Sequence, residues 1–334
     1  MSMIEREEII LQPDFQRKYV WNETNASKFI ESLLLNIPIP NIFVYENNLE
    51  NWEVIDGQQR LTTIYKFFNN EFNLKNLNAI SELNGKTYED FSDVIKRKFN
   101  NVILQFTILG KETSEFLKFD IFSRLNKGST MLNAQELRNC LYKGAFKDLL
   151  KELSTYLQIN YRSLLSENMR NRMLDEELIL RFFYIDDLYN KNNNFNNYKN
   201  ISIGMNEFMN EANKLSYDKI DELKSIFIDS IKKVAELFKE KVFKVYEKNI
   251  NSNQKNWGSK INRGVFEIEM SVLRKYDSLK LLKKEKVIIE KLADIMLNDN
   301  DFSNSLKIHT NNKNSLIKRF ETFEKLIKGI MESD

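Results

Sequence analysis

Residues 54–65 read Val-Ile-Asp-Gly-Gln-Gln-Arg-Leu-Thr-Thr-Ile-Tyr, and this stretch decides the fold of the region around it. Val54 and Ile55 have the apolar, β-branched character of a buried strand end, and Gly57 permits a tight turn at positive φ. Beyond Gly57 the apolar residues recur with the spacing of one helix face, at Leu61, Ile64, Tyr65 and Phe68. The stretch therefore predicts a strand, a turn and a helix in immediate succession.

Four polar residues lie where this strand ends and the helix begins: Asp56, Gln58, Gln59 and Arg60. Ligands of α/β proteins bind at such corners, and a helix N-terminus offers N–H groups and a partial positive charge to an anion. The planar guanidinium of Arg60 suits phosphate, while Asp56 could hold a divalent metal, accept a sugar hydroxyl or act as a base. The same residues also fit an ordinary Asp-Gly turn followed by a solvated helical turn, so both interpretations stay open on the residues alone.

Two further blocks share their order and spacing with a known family. Residues 12–21 read Gln-Pro-Asp-Phe-Gln-Arg-Lys-Tyr-Val-Trp, and residues 122–128 read Phe-Ser-Arg-Leu-Asn-Lys-Gly, followed by Leu132 and Glu136. Together with residues 56–63, these blocks resemble the N-terminal domain of GmrSD-type restriction endonucleases, which is itself similar to the ParB/sulfiredoxin superfamily.

The resemblance implies an α/β N-terminal domain of ParB/sulfiredoxin-like type, with a small mixed sheet, over residues 1–110. Residues 111–334 are predicted to form a mainly α-helical domain, because the apolar period becomes helical after this point. Asn133, with Glu136 three residues later, is typical of a helix N-cap. Residues 191–200, Lys-Asn-Asn-Asn-Phe-Asn-Asn-Tyr-Lys-Asn, are the only low-complexity stretch and predict a flexible loop and a subdomain boundary.

Charged and amphipathic patterns in the helical region allow two further expectations. Arg170, Arg172 and Arg181 flank the acidic residues 175–177, and this spacing predicts ion pairs between neighbouring turns. The amphipathic run at residues 221–245 fits either the core or the contact face of a homo-oligomer, and we interpret it as core.

The composition fits a globular protein without a general attraction to polyanions. The chain has 334 residues with 50 basic and 48 acidic side chains, a formal net charge of +2. Such a balance gives no overall attraction to DNA or membranes, although a local basic patch is compatible with it. Cys140 is the only cysteine, which excludes a disulfide within the chain and fits a reducing cytosol. No apolar run approaches the roughly 18–20 residues that span a bilayer, so we expect a cytoplasmic protein with no membrane partner.

Histidine is too scarce for two classes of site. His309 is the only histidine, so neither a His-metal nuclease nor a zinc site with several Cys or His ligands can be built from this sequence. The related modification-dependent restriction enzymes carry a C-terminal His-Asn-His nuclease domain, and this sequence departs from that pattern. The departure puts self-contained DNA cleavage in doubt. The sequence also contains neither a Walker A loop nor a Rossmann glycine fingerprint.

The resemblance implies a nucleotide site at the strand–helix corner, with Mg²⁺ as its cofactor. It assigns catalysis to Asp56, Gln58, Gln59 and Arg60, and the metal to Asp56. Contacts to phosphate are predicted for a wider set: Gln16, Arg17, Gly57, Arg60, Thr62, Thr63, Asn126 and Lys127.

Three of the residues outside the corner also have plainer interpretations. Arg17 fits a partly exposed strand end, and Asn126 and Lys127, which precede a glycine, fit a helix C-cap. Tyr19 and Trp21 could stack on a base, but we favour a place in the core.

Three functions follow from these observations. The first is a nucleoside triphosphatase of a prokaryotic anti-phage or restriction system, in which arginines neutralise phosphate and a glutamine orients the attacking water. The second is a module without turnover that senses a nucleotide or modified DNA and regulates a separate nuclease or toxin subunit. The third is a ParB-like nickase, which is weaker because no second acidic residue accompanies Asp56 in the motif. The expected partners are therefore a nucleotide, phage or modified DNA, and a separate nuclease or toxin chain.

Overall fold

A computed structural model describes residues 2–11, 19, 21–47, 49–114, 117, 119–121, 124, 133–190, 195–248 and 254–333, with only the backbone of Cys140. The chain forms two compact units, Met1–Leu141 (unit 1) and Tyr142–Asp334 (unit 2). The boundary lies beyond the predicted position at residue 110, because Leu137 packs with Ile55, Leu109 and Phe119 of unit 1. None of the described helices has the length and apolarity needed to cross a membrane.

Unit 1 is built on a small mixed sheet, as predicted. Its strands are β1 (Ile9–Ile10), β2 (Ile42–Glu46), β3 (Trp52–Asp56) and β4 (Phe106–Leu109), in the order β1-β3-β2-β4. β2 pairs antiparallel with β3, whereas β1 pairs parallel with β3 and β4 pairs parallel with β2. β4 begins at Phe106, and Val102 and Leu104, which precede it, pack against the core without joining the ladder.

Helices cover the sheet of unit 1 and hold its corner in place. They are α1 (Ser2–Glu5), α2 (Glu23–Leu34), α3 (Gln58–Phe68), α4 (Asp93–Asn100) and α5 (Ala134–Leu141), with a 3₁₀ turn at Ser81–Leu83. Phe67 of α3 is fully buried, and its ring lies 5.4–5.6 Å from those of Phe72, Phe91 and Phe99. This aromatic cluster anchors the C-terminal half of α3, so the direction in which its N-terminus points is set by the core.

Unit 2 is mainly helical, as predicted. Its helices are α6 (Ala145–Asn160), α7 (Glu167–Asn171), α8 (Leu174–Asn190), α9 (Ile201–Ala212), α10 (Tyr217–Phe238), α11 (Arg263–Leu273), α12 (Ser278–Lys283), α13 (Glu285–Asn298), α14 (Asn300–Lys307) and α15 (Lys313–Glu332). Short 3₁₀ turns lie at Arg162–Leu164 and Lys239–Lys241, and strands β5 (Tyr246–Lys248) and β6 (Lys255–Trp257) form a separate antiparallel pair.

The low-complexity stretch does not separate the two units, because residues 191–200 lie inside unit 2. Residues 191–194 are outside the described part, but Phe195 is only 2% exposed. Its ring lies 6.1 Å from Tyr189 and 5.0 Å from Phe320. An aromatic residue within the asparagine-rich stretch therefore fixes its second half to the core.

Arg181 does not pair with a neighbouring turn of its own helix, so that prediction is wrong for this residue. Its guanidinium donates to the buried carboxylate of Glu267 on α11, and Arg319 on α15 donates to the same carboxylate. Arg319 also donates to the carbonyl oxygen of Thr310 at 2.8 Å. The three side chains are 0–4% exposed, so this buried cluster ties α8, α11 and α15 together.

Candidate functional site

The corner between β3 and α3 depends on a glycine. Gly57 has φ +101°, and a Cβ at this position would lie 3.0 Å from Cγ1 of Ile42 and 3.2 Å from Nη2 of Arg60. Both the backbone conformation and the close approach therefore exclude an ordinary side chain. The strand register shifts just before the corner, from Val44 opposite Val54 to Phe43 opposite Asp56, and such irregularities redirect side chains at strand ends.

Asp56 and Arg60 form an ion pair that spans the start of α3. Oδ2 of Asp56 accepts a hydrogen bond of 2.8 Å from Nη2 of Arg60. The same guanidinium donates to the backbone carbonyls of Pro40, through Nη1, and of Asn41, through Nη2 at 3.3 Å. Arg60 therefore connects the motif to the segment that leads into β2.

The two members of this pair differ in exposure. The side chain of Arg60 is 12% exposed and that of Asp56 is 45% exposed. Burial lowers the pKa of Arg60, and the charge and hydrogen bond of Asp56 offset part of this effect. The arginine stays protonated at neutral pH. Oδ1 of Asp56 has no hydrogen-bond partner among the described residues, so one carboxylate oxygen is uncommitted at an accessible position.

Gln59 and Thr63 attach Trp21 and Tyr19 to α3. The backbone N–H of Trp21 donates to Oε1 of Gln59 at 3.3 Å. The hydroxyl of Thr63 donates to the carbonyl of Gln59 at 2.7 Å and shares a hydrogen bond of 2.9 Å with the hydroxyl of Tyr19. Thr63 is fully buried, so its hydroxyl serves the fold in this arrangement, and its contact to phosphate stays a prediction.

The two aromatic residues of the first block are placed by the same contacts. Trp21 packs against the core with its ring 5.5 Å from Phe29, edge to face. Burial raises the pKa of Tyr19, and its hydrogen bond with Thr63 offsets part of that effect. These positions agree with the structural role that we favoured for both residues over base stacking.

The other predicted site residues divide into two groups. Gln58 and Thr62 are half-buried and lie four residues apart on α3, so they share one face of the helix at the corner. The remaining four, Gln16, Arg17, Asn126 and Lys127, lie outside the described residues. Their contacts to phosphate stay predictions.

The corner contains one carboxylate that could bind a metal ion, that of Asp56. Within the described ranges, no three His, Cys, Asp or Glu side chains are grouped so that they could hold an ion. Mg²⁺ is often bound through one or two carboxylates together with substrate phosphates and water. The donor set therefore fits a magnesium ion that is shared between Asp56 and a bound nucleotide, and does not fit a metal held by the protein alone.

Sequence reasoning missed the carbonyl partners of Arg60. The carbonyl groups of Pro40 and Asn41 hold the guanidinium, and they lie 20 and 19 residues before Arg60 in the sequence. The pairing of Asp56 with Arg60 could have been anticipated, because residues four apart across the start of a helix are neighbours. Backbone carbonyls exist at every residue, so the residue types of the motif do not indicate which distant carbonyls will accept from Arg60.

Comparison with known proteins agrees with the motif. Residues 1–143 match the family described as GmrSD restriction endonuclease, N-terminal domain, and this match covers unit 1 with the whole Asp56–Arg60 corner. Neither the curated proteins nor the solved structures include a significant match. The family match indicates a component of a restriction or anti-phage system. Residues 1–143 of this chain therefore belong to the GmrSD restriction endonuclease N-terminal domain family.

Proposed function

We propose that the β3–α3 corner binds a nucleoside triphosphate and hydrolyses it within a restriction system. The observation that carries this proposal is the state of Asp56. One of its oxygens is held by a largely buried arginine, while the other is uncommitted at the accessible start of a helix. A negatively charged ligand is favoured there by the helix N-terminus, and Asp56 supplies the oxygen ligand that a phosphate-bound magnesium ion needs.

Each residue then has a distinct task in the reaction. A water oxygen attacks the terminal phosphorus, the bond from that phosphorus to the bridging oxygen breaks, the nucleoside diphosphate leaves with that oxygen, and the water proton leaves to solvent. Asp56 would hold Mg²⁺, and the ion would supply charge neutralisation at the phosphate oxygens when bound. Gln59 accepts a hydrogen bond from Trp21 and supports the fold. We assign orientation of the water to Gln58, the first residue of α3 at the corner.

Arg60 acts in this scheme as a positioning residue. Its Nη atoms already donate to Asp56, Pro40 and Asn41, so it holds the carboxylate in one orientation rather than extending toward solvent. Its positive charge also lowers the cost of bringing a second anion to the corner. Direct contact with phosphate would require it to exchange one of its carbonyl partners.

The contacts of Arg60 with Asp56, Pro40 and Asn41 also favour a second candidate function. Because Arg60 joins Asp56 to the carbonyls of Pro40 and Asn41, a ligand that displaced Asp56 would change the segment before β2. Such a coupling suits a module that senses a nucleotide and signals to a separate nuclease or toxin subunit without turnover. Binding with no phosphate release distinguishes this candidate from the enzyme.

The deciding experiment measures phosphate release from a panel of ribo- and deoxyribonucleoside triphosphates with Mg²⁺, alongside nucleotide binding by calorimetry. Asp56→Asn keeps the shape of the side chain and an oxygen that can accept from Arg60, but it removes the charge that holds metal. Asp93→Asn is the matched control, because Asp93 is an exposed carboxylate in the first turn of α4.

Turnover that Asp56→Asn abolishes and Asp93→Asn retains would support the enzyme. Tight binding without turnover, weakened only in Asp56→Asn, would support the sensor in its place. If wild type neither binds nor hydrolyses any triphosphate, both candidates are rejected.

A further inference from the structure

Unit 2 contains a two-stranded antiparallel ribbon in which two lysines lie opposite each other. Its three cross-strand pairs are Tyr246–Trp257, Glu247–Asn256 and Lys248–Lys255. Two backbone hydrogen bonds of 2.8 Å connect the segments that precede β5 and follow β6. The N–H of Gly258 donates to the carbonyl of Val245, and the N–H of Asn262 donates to the carbonyl of Phe243. We call residues 243–248 and 254–262 the lysine ribbon.

The register places the lysines together on one face. Directly opposite residues and residues two apart point to the same side of a strand pair, so Lys248 and Lys255 share a face with Tyr246 and Trp257. The rings of Tyr246 and Trp257 lie 5.2 Å apart and brace the base of this face. Like charges directly opposite each other destabilise a strand pair. The ammonium groups of Lys248 and Lys255 therefore repel each other, and a bound anion would reduce this repulsion.

The lysine ribbon does not neutralise this charge internally. Lys248, Lys255 and Lys260 are exposed and Lys244 is half-buried, and within the described part of the chain none of the four takes part in an ion pair. Glu247 is the only carboxylate among the ribbon residues. It lies on the opposite face and pairs with Lys307 at 2.8 Å.

We propose that the lysine face of this ribbon binds the backbone of a B-form DNA duplex. Lysines of a single sign of charge complement closely spaced phosphates, and their contacts contribute affinity that does not depend on sequence. The major groove of B-form DNA is about 12 Å wide and admits a two-stranded ribbon, whereas the major groove of A-form RNA is deep and too narrow to enter. The site lies in unit 2 and does not depend on the nucleotide corner of unit 1.

A salt titration of the full chain tests this proposal. Binding to a fluorescein-labelled DNA duplex of about 25 base pairs is followed by anisotropy between roughly 50 and 300 mM NaCl. Replacing both lysines, in Lys248→Ala/Lys255→Ala, should weaken binding about tenfold or more at low salt and reduce the slope of log Kd against log salt by about 1.8. Lys248→Arg/Lys255→Arg should keep the slope of wild type, since the charges remain.

Lys151→Ala/Lys232→Ala is the matched control, because these exposed helical lysines also have no ion pair in the described residues and their removal changes the net charge equally. It should bind as wild type does. Thermal unfolding separates binding from folding: loss of the like-charged pair should leave the Tm of the ribbon variant unchanged or slightly higher.

Four results would each overturn the proposal. Wild type could fail to bind the duplex, or the ribbon variant could bind as tightly as wild type. The control variant could lose as much affinity as the ribbon variant. Finally, an RNA duplex or anionic phosphatidylserine vesicles could bind the chain more tightly than DNA does.

Discussion

Nη2 of Arg60 lies 2.8 Å from Oδ2 of Asp56, and the two residues are one helical turn apart at the start of α3. Among the described residues of unit 1 the same spacing is found in a second ion pair, between Asp120 and Arg124, where Nε and Oδ2 are 2.9 Å apart. The pairs differ in burial and in their other partners. Comparing them separates the strength of an isolated ion pair from that of an arginine connected to several elements.

Arg60→Ala should destabilise the protein by about 2 kcal/mol, because it leaves two carbonyls and a carboxylate without their donor. Arg124→Ala should cost less than about 0.5 kcal/mol, since its pair is 73% and 37% exposed and screened by solvent. Urea unfolding of both variants provides the measurement. Equal losses of unfolding free energy in the two variants would show that the contacts of Arg60 to Pro40 and Asn41 do not contribute to stability.

Gly57→Ala should destabilise by about 2 kcal/mol, since it combines an unfavourable backbone conformation with contacts of 3.0 Å to Ile42 and 3.2 Å to Arg60. Gly85→Ala isolates the backbone contribution, because Gly85 has φ +81° and no atom within 4 Å of its added Cβ. It should cost only about 1 kcal/mol. Urea unfolding measures both losses. Equal losses of unfolding free energy in Gly57→Ala and Gly85→Ala would show that close packing at the corner is unimportant.

Glu267 and Glu269 lie two residues apart on α11, and their replacement by glutamine should have opposite effects. Burial alone would raise the pKa of Glu267, but the charges of Arg181 and Arg319 and their hydrogen bonds hold it below its ordinary value. Burial raises the pKa of Glu269 well above its ordinary value, and the backbone N–H of Phe243 offsets only part of this. One carboxyl is therefore kept charged by the fold and the other is kept neutral.

Glu267→Gln should destabilise by about 3 kcal/mol at neutral pH, because two buried arginines lose their counter-charge. A lowered pKa contributes stability above the unfolded value of about 4.3, and that stability is lost as the pH falls through the folded pKa. Glu269→Gln should instead stabilise at neutral pH. A raised pKa contributes stability that is fully present below about 4.3 and is lost as the pH rises through the folded pKa, so this gain should vanish in acid.

The measurement for this pair is the free energy of unfolding of wild type and both variants from about pH 3 to pH 8. The two differences from wild type should have opposite signs at neutral pH. Both differences should shrink toward acid pH. A destabilising Glu269→Gln at neutral pH would contradict the assignment of a neutral carboxyl.

Asn133→Ala should cost about 1 kcal/mol, because it removes a reciprocal helix cap. Oδ1 of Asn133 accepts from the N–H groups of Gln135 and Glu136, both at 2.9 Å, and Glu136 accepts from the N–H of Asn133 at 2.7 Å. Asn312→Ala is the control, since Asn312 occupies the same position on α15 without a capping bond from its side chain. Thermal unfolding should show a lower Tm for the first variant alone.

The local elements were predictable where short spacings decide them. Residues 54–65 predicted the end of β3, the turn at Gly57 and the start of α3, and all three are present. The spacing of Asn133 and Glu136 predicted the cap that opens α5. These features depend on residues within one turn or one strand of each other, so their physical cause is contained in the sequence pattern.

Only the tertiary structure decided which groups meet across longer distances. The sequence by itself determined a glycine corner with a carboxylate and an arginine, but the contacts of Arg60 with Pro40 and Asn41 depend on how the chain returns to β2. Glu267 and Glu269 are identical in type and lie two residues apart on one helix. Their opposite ionisation follows from whether arginines from α8 and α15 reach them, because in a buried environment a charge is stable only beside its counter-charge.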